Sequence, residues 1–285
     1  QPRIAESCHL LGDHESDALL VGPGDAAHET VDGVVQRLVL VVGVRRAHAS
    51  RMRTLASKSH PEVSENALFG AEFSGLTRSR SRSRRARDGC GEGRGVDGRI
   101  LLLHNVMGLW VLTETIRGWE RAGKPADLST LLAAAAAAPA DGPVFNVNDP
   151  SFLPPGDMPA RIDAWFAARG IRGPSTSAEY VRCTVESLAQ AFADAALTAG
   201  RIGGVPVRTI HIVGGGALNE LLCQRTADRS GLPVLAGPVE ATALGNILVQ
   251  ARAVGLIEGT LEDLRYRVVR THSPRRYDPQ ASRIR

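Results

Sequence analysis

The stretch that most constrains the fold is His211-Ile-Val-Gly-Gly-Gly-Ala-Leu-Asn-Glu220. Val207 to Val213 is rich in β-branched residues and reads as a strand, with Arg208, Thr209 and His211 interrupting the apolar positions. Three glycines break that period. Ala217 to Ser230 then reads as a helix, with Leu218, Leu221, Leu222 and Arg225 at turn spacing. A strand, a glycine turn and a helix start bring bare amides to the positive end of a helix dipole, where phosphates and nucleotides bind well. Glycine has no Cβ, so a flat ring or a phosphate can lie against the main chain. The triplet is not a Walker A loop, because no Gly-Lys-Ser/Thr follows, and it lacks the spacing of a dinucleotide fingerprint. By itself it fits a plain strand-to-helix turn equally well.

Pro233 to Asn246 supplies a second short strand, a Gly237-Pro238 turn and a helix opening near Glu240, whose carboxylate suits a helix start. Ala241, Ala243 and Gly245 are small, which allows close packing or close approach of a ligand. This pair of segments resembles the C-terminal domain of the FGGY family of carbohydrate kinases, its rhamnulokinase branch in particular. Asn105-Val-Met-Gly-Leu-Trp110 and Asn148-Asp-Pro-Ser-Phe-Leu-Pro-Pro-Gly-Asp157 carry the rest of the resemblance, which runs from about Gly95 to about Pro279.

The resemblance implies an α/β fold of the actin-like ATPase (ribonuclease H-like) kind, incomplete on its N-terminal side. It implies ATP and Mg²⁺ as cofactors and a ketose, L-rhamnulose, as phosphoryl acceptor. Xylulose, glycerol, gluconate or fuculose are the alternatives within the family, and a non-catalytic ATP-binding remnant is the alternative outside it. Gly214, Gly215 and Gly216 are the implied adenosine contacts, with Asn219 and Asn246 as weaker ones, and Asn105 is the implied sugar contact. Thr113 stands where the family places a glutamine that touches the nucleotide; its shorter hydroxyl still donates. The family's general base lies in a Gly-Thr-His-Asp-Thr segment and its phosphates meet a Ser-Gly-Thr-Trp turn. Neither segment occurs in this chain, so no catalytic residue and no metal ligand is assigned, and the chain alone is expected to be a very poor kinase.

The remaining sequence sets the domain expectation. Residues 95–285 read as the nucleotide-binding domain and residues 1–94 as unrelated text, disordered or produced by an out-of-frame start. Within the latter, Val34 to Val44 is the one apolar run with strand or short-helix character. Arg78-Ser-Arg-Ser-Arg-Ser-Arg-Arg-Ala-Arg87 reads as a solvated low-complexity run rather than a nucleic-acid arm, since no aromatics are interleaved for base stacking. The net charge is +4, and the four cysteines have no CxxC spacing, so neither a disulfide framework nor a metal knuckle is indicated. No apolar run approaches the roughly 20 residues of a membrane span, and the N-terminus lacks the pattern of a signal peptide; the expectation is a cytoplasmic protein.

Helical spacing of Leu102, Val106, Leu109, Leu112 and Ile116 predicts a helix over 99–120 that carries Asn105. Further helices are predicted over 127–139, over 158–170 and, longest of all, over 178–199. Asp149 and Asp157 lie in the turn-rich loop between the first two of these and read as structural. Cys183 reads as a small buried hydrophobe, and His211 and His272 as isolated residues without a catalytic part.

Overall fold

A computed structural model describes residues 38–41, 67–73, 90–98, 100–124, 127–139, 142–203 and 206–280. Among the described residues seven strands form one sheet: β1 (Leu38–Val41), β2 (Ala67–Phe73), β3 (Cys90–Arg94), β4 (Ile100–Val106), β5 (Ile210–Val213), β6 (Val234–Ala236) and β7 (Arg275–Tyr277). Their order is β3-β4-β2-β1-β5-β6-β7. β1, β5 and β6 run parallel, and the outer pairs are antiparallel. The sheet therefore runs across residue 95, where the sequence places a domain boundary: three of its strands lie before that position. The Arg78–Arg87 run falls outside the described residues.

Seven α-helices among the described residues accompany the sheet: α1 (Trp110–Arg121), α2 (Leu128–Ala137), α3 (Met158–Ala167), α4 (Ser177–Gly203), α5 (Glu220–Ser230), α6 (Ala241–Ala253) and α7 (Leu261–Thr271). Alternate residues of a strand point to opposite faces, and β5 shows what each face meets. Ile210 and Ile212 join the main core with Val185, Leu188 and Phe192 of α4 and Leu222 of α5. Val213 joins a second cluster with Ala241 and Val268, against which Leu244 and Leu248 of α6 pack. The helices thus cover both faces, α4 and α5 on one and α6 and α7 on the other, as an α/β domain requires.

Strand β4 corrects the helix expected over 99–120. Residues 100–106 are extended and paired on both sides, with β2 and with β3, and the helix starts only at Trp110. Leu102 and Val106 are both buried in the main core. A spacing of four satisfies a two-residue period as well as a helical one, so these two positions fit either structure. The break falls at Met107-Gly108-Leu109, ahead of the helix.

α4 is the central packing element. Its residues Val181, Val185, Leu188, Ala189, Phe192 and Ala196 are buried. Glu186, also buried, anchors its neighbours by charge: Arg182 Nη2 lies 2.8 Å, Arg225 Nε 2.6 Å and Arg229 Nε 2.7 Å from its carboxylate. Arg182 in addition donates to the Ala135 carbonyl at 3.2 Å, which ties the end of α2 to the same cluster.

Candidate nucleotide site

The site is built by the turns at one end of the sheet. β1 and β5 are level, with Val41 beside Val213. β2 runs the other way, so its first residues lie at this end, with Leu68 beside Val41. β4 reverses again and brings Asn105 beside Leu68. Asn105 and Val213 therefore occupy one register row, three strand spacings apart, about 14 Å at 4.8 Å per spacing. Ligands of open α/β sheets bind beyond the carboxyl ends of the parallel strands, which is this end.

At that end Val213 leaves β5 in extended conformation and Gly214 turns with φ +72°, a value that L side chains resist. A 3₁₀ turn covers Gly214–Leu218, and α5 begins at Glu220, three residues later than the sequence places it. The backbone amides of this turn have internal uses. Asn219 N–H donates to the Gly216 carbonyl at 3.1 Å, and Cys223 N–H to the Asn219 carbonyl at 3.0 Å. Asn219 Oδ1 accepts from Leu222 N–H at 3.0 Å and so caps α5. The Asn219 side chain, expected to face the nucleotide, is buried and holds the helix start through its oxygen. Glu220 places a carboxylate on the first turn of α5 and pairs with Arg275. The positive end of the α5 dipole is thereby met by a protein carboxylate, which disfavours a second anion there. What stays open is the glycine surface: a Cβ on Gly215 would meet nothing within 4 Å.

Two further crossings brace the turn. Gly214 N–H donates to the Pro238 carbonyl at 3.3 Å and Gly237 N–H to the Ile212 carbonyl at 2.8 Å. The Gly237–Pro238 peptide is cis. A Cβ on Gly237 would lie 4.0 Å from Cα of Pro274, just before β7. Beneath the turn, Cys223 Sγ lies 3.7 Å from the Gly216 carbonyl, and burial pushes its thiol up to about 12. Burial does the same to Cys183, as a small buried hydrophobe should show. Of the small residues that follow, Ala241 and Gly245 are buried and serve packing, while Ala243 and Asn246 are exposed on α6. Glu240 is the N-cap of α6 but makes no side-chain capping bond.

The second part of the site is the β4–α1 connection, which the Asn148–Asp157 loop holds in place. Asn148 Oδ1 accepts from Met107 N–H at 2.9 Å, two residues beyond Asn105. Trp110 Nε1 donates to the Phe152 carbonyl at 3.2 Å. Asp149 accepts from Ser151 N–H at 3.0 Å and from Trp165 Nε1 at 3.0 Å, and Asp157 caps α3 through Ala160 N–H at 3.1 Å. Asp149 thus ties the loop to Trp165, and Asp157 holds the start of α3. Thr113 lies half-buried in the first turn of α1. Its amide donates to the Leu109 carbonyl at 2.9 Å. The two sequence motifs that flank this connection are thus bonded to each other, a link that spacing along the chain does not reveal.

His211 is buried in β5, and His272 is exposed with Nδ1 2.8 Å from Thr271 Oγ1. Among the described residues no three His, Cys, Asp or Glu side chains converge on a point that would hold a metal ion. No described helix is long and apolar enough to cross a membrane.

Comparison with known proteins shows the family. Residues 78–254, more than half of the chain, match the model of the FGGY family of carbohydrate kinases, C-terminal domain. A rhamnulokinase of Pectobacterium carotovorum subsp. carotovorum is 41% identical over 187 residues, which cover 66% of this chain and 37% of that protein. A rhamnulokinase of Bacteroides thetaiotaomicron is 35% identical over 187 residues, covering 65% of this chain and 37% of that protein. The chain therefore spans well under half the length of the curated relatives it matches. Among solved structures, xylulose kinase from Rhodospirillum rubrum superposes with a TM-score of 0.55 at 19% identity, over 86% of this chain and 43% of that one. Plasmodium falciparum glycerol kinase with ADP superposes with a TM-score of 0.55 at 12% identity, over 85% of this chain and 43% of that one. At such identities the superpositions establish the fold alone.

Proposed function

Because the chain belongs to the FGGY family of carbohydrate kinases, we propose that it is the nucleotide-holding part of a kinase that transfers a phosphoryl group from ATP to L-rhamnulose. The observation that carries this reading is the single register row that brings the glycine turn and Asn105 to one end of the sheet. Similarity to rhamnulokinases over about two thirds of the chain supports the choice of sugar. Residues 95–285 are assigned to the nucleotide-binding unit, and the strands at 38–41, 67–73 and 90–94 complete its sheet. The working compartment is the cytoplasm, where ATP is plentiful.

Each residue then has a stated part. Gly214, Gly215 and Gly216 carry the adenosine on bare main chain, and Thr113 and Asn246 contribute polar contacts at its margins. Asn219 acts on the nucleotide through the turn it holds. Asn105 receives the sugar, on a connection fixed by Asn148. Phosphoryl transfer depends on positioning and on neutralising charge, and Mg²⁺ supplies part of that charge when it arrives with the phosphates. A general base takes the proton from the sugar hydroxyl, and its absence lowers a rate by roughly 10²–10⁴. The Gly-Thr-His-Asp-Thr segment that carries this base in the family does not occur in the sequence, and the chain by itself is therefore proposed to bind nucleotide and turn over poorly.

Titration calorimetry with ADP, beside a coupled assay with ATP and L-rhamnulose, tests both halves of the proposal. Saturable ADP binding without appreciable turnover is expected. No binding at high micromolar ADP would overturn the nucleotide reading, and turnover at the rate of ordinary sugar kinases would overturn the claim of poor activity.

A further inference from the structure

Three consecutive glycines give the turn after β5 no side chains with which to anchor itself. Its place is set by its surroundings, and residues 274–280 supply much of them. β7 ends the sheet order, and Arg275 stands beside Ala236, which stands beside Ile212, at the end of the sheet where the turn lies. Just before β7, Cα of Pro274 lies 4.0 Å from where a Cβ on Gly237 would stand. Gly237 is bonded to Ile212, and the next residue, Pro238, to Gly214. Arg275 pairs with Glu220 in the first turn of α5. Tyr277 is buried in the main core with Cys223, whose Sγ lies 3.7 Å from the Gly216 carbonyl. Beyond the strand, the Asp278 carbonyl accepts from Gln224 Nε2 at 2.9 Å, and Gln280 N–H donates to Asp228 Oδ1 at 2.8 Å. Glu220, Gln224 and Asp228 follow one another at four-residue intervals, so the segment lies along one face of α5. Asp228 also takes Arg225 Nη1 at 2.8 Å, and Arg225 reaches Glu186 of α4, which ties that face to the interior.

From this we infer that residues 274–280 form a strap that fixes the glycine turn from the edge of the sheet, with Arg275 as a positioning residue for the nucleotide. The inference rests on the nucleotide reading above. It gives the strap no contact with the ligand; the strap acts by holding the first turn of α5 and the Gly237 turn, the two supports of the glycines. A turn that must be ordered as its ligand arrives binds more weakly than one held ready. Arg275 and Glu220 are each 63% exposed, and an exposed ion pair adds little to global stability. What this pair can change is the local order of the turn at whose rim it sits. The effect of Glu220 separates placement from plain attraction. If the Arg275 charge simply drew phosphates in, removing the Glu220 carboxylate would free the guanidinium and tighten ADP binding. If the pair holds the turn, removing either partner weakens binding, and removing both costs no more than removing one.

The test uses the full 285-residue chain and the variants Arg275→Ala, Glu220→Gln, the two combined, and Arg275→Lys. ADP binding is measured by calorimetry, the fold by thermal melting, and the order of residues 214–222 by backbone hydrogen exchange. Arg275→Ala and Glu220→Gln should each weaken ADP about threefold, within the range an exposed ion pair spans, and the combined variant should lose no more. Arg275→Lys should recover most of the affinity. Exchange over 214–222 should quicken in the Ala and Gln variants while melting temperatures stay within about 2 °C of the unaltered chain. Unchanged affinity in Arg275→Ala, or tighter binding in Glu220→Gln, overturns the inference and leaves the nucleotide reading standing. So do additive losses in the combined variant, and so does a melting temperature that falls along with affinity, since the pair would then belong to the global fold. Failure of the unaltered chain to bind ADP overturns the nucleotide reading and this inference with it.

Discussion

A Cβ added to Gly215 meets open space, whereas one added to Gly259 would lie 2.8 Å from Cβ of Asp263. Gly215 also avoids the left-handed backbone region that Gly214 adopts with φ +72°. Folding thus gives no reason for a glycine at 215, whereas the proposed nucleotide contact would. Gly215→Val should leave the thermal midpoint within about 2 °C and lower ADP affinity tenfold or more, by filling the space a ring would occupy. A variant that binds ADP normally would show that the space is not used. A second residue-scale expectation concerns Asp127, the N-cap of α2. Hydrogen bonds from the Thr130 side chain and backbone and from the Ser129 hydroxyl lower its pKa to about 2. A group whose folded pKa is depressed contributes stability above its unfolded pKa and loses it as pH falls through the folded one. The melting temperature should therefore fall between pH 4 and pH 2 more steeply in the unaltered chain than in Asp127→Asn, and parallel curves would contradict the assignment. Single residues were legible in the sequence where chemistry alone sets their fate, as with buried Cys183. They were illegible where a turn type decides: Asn219 became a cap and Leu218 an exposed residue because the turn is 3₁₀ before it is α.

Among elements, α4 was legible because its apolar face repeats over many turns, and only its ends moved, to Ser177 and Gly203. β4 was not, because Leu102 and Val106 satisfy two periods at once and its partners β2 and β3 lie in sequence before residue 95, which reads as unrelated to the domain. The charge cluster that joins α4 to α5 was equally hidden. Glu186 is 1% exposed and faces Arg182, Arg225 and Arg229, a meeting across two helices that spacing along the chain does not reveal. Neutralising a buried carboxylate leaves its cations uncompensated in a poorly hydrated place, at a cost of about 3–5 kcal/mol. Glu186→Gln should therefore lower the urea midpoint by a large fraction of a typical domain's stability. Loss of less than about 1 kcal/mol would mean that water reaches the arginines and takes over the role of the carboxylate. The Asn148–Asp157 loop works on the same scale, fixing the start of α1 through Met107 N–H and Trp110 Nε1. Its motif was visible in the sequence, while the strand end it serves was visible only in three dimensions.

For the whole molecule, the family and the α/β architecture could be read from the glycine turn and its neighbours, and the sheet order could not. The central strand β1 comes from Leu38–Val41, within a stretch that otherwise shows no period. It sits between β2 and β5 and links the antiparallel half of the sheet to the parallel half. That placement has a kinetic consequence. Leu38 must wait for Ile210, about 170 positions later, before its parallel pairing can close, and such distant pairings are slow to form. Until then β1 and β5 each present an unpaired edge, the kind of surface through which growing chains stick to one another. Folding yield at 37 °C, more than final stability, is the quantity that this strand order puts at risk.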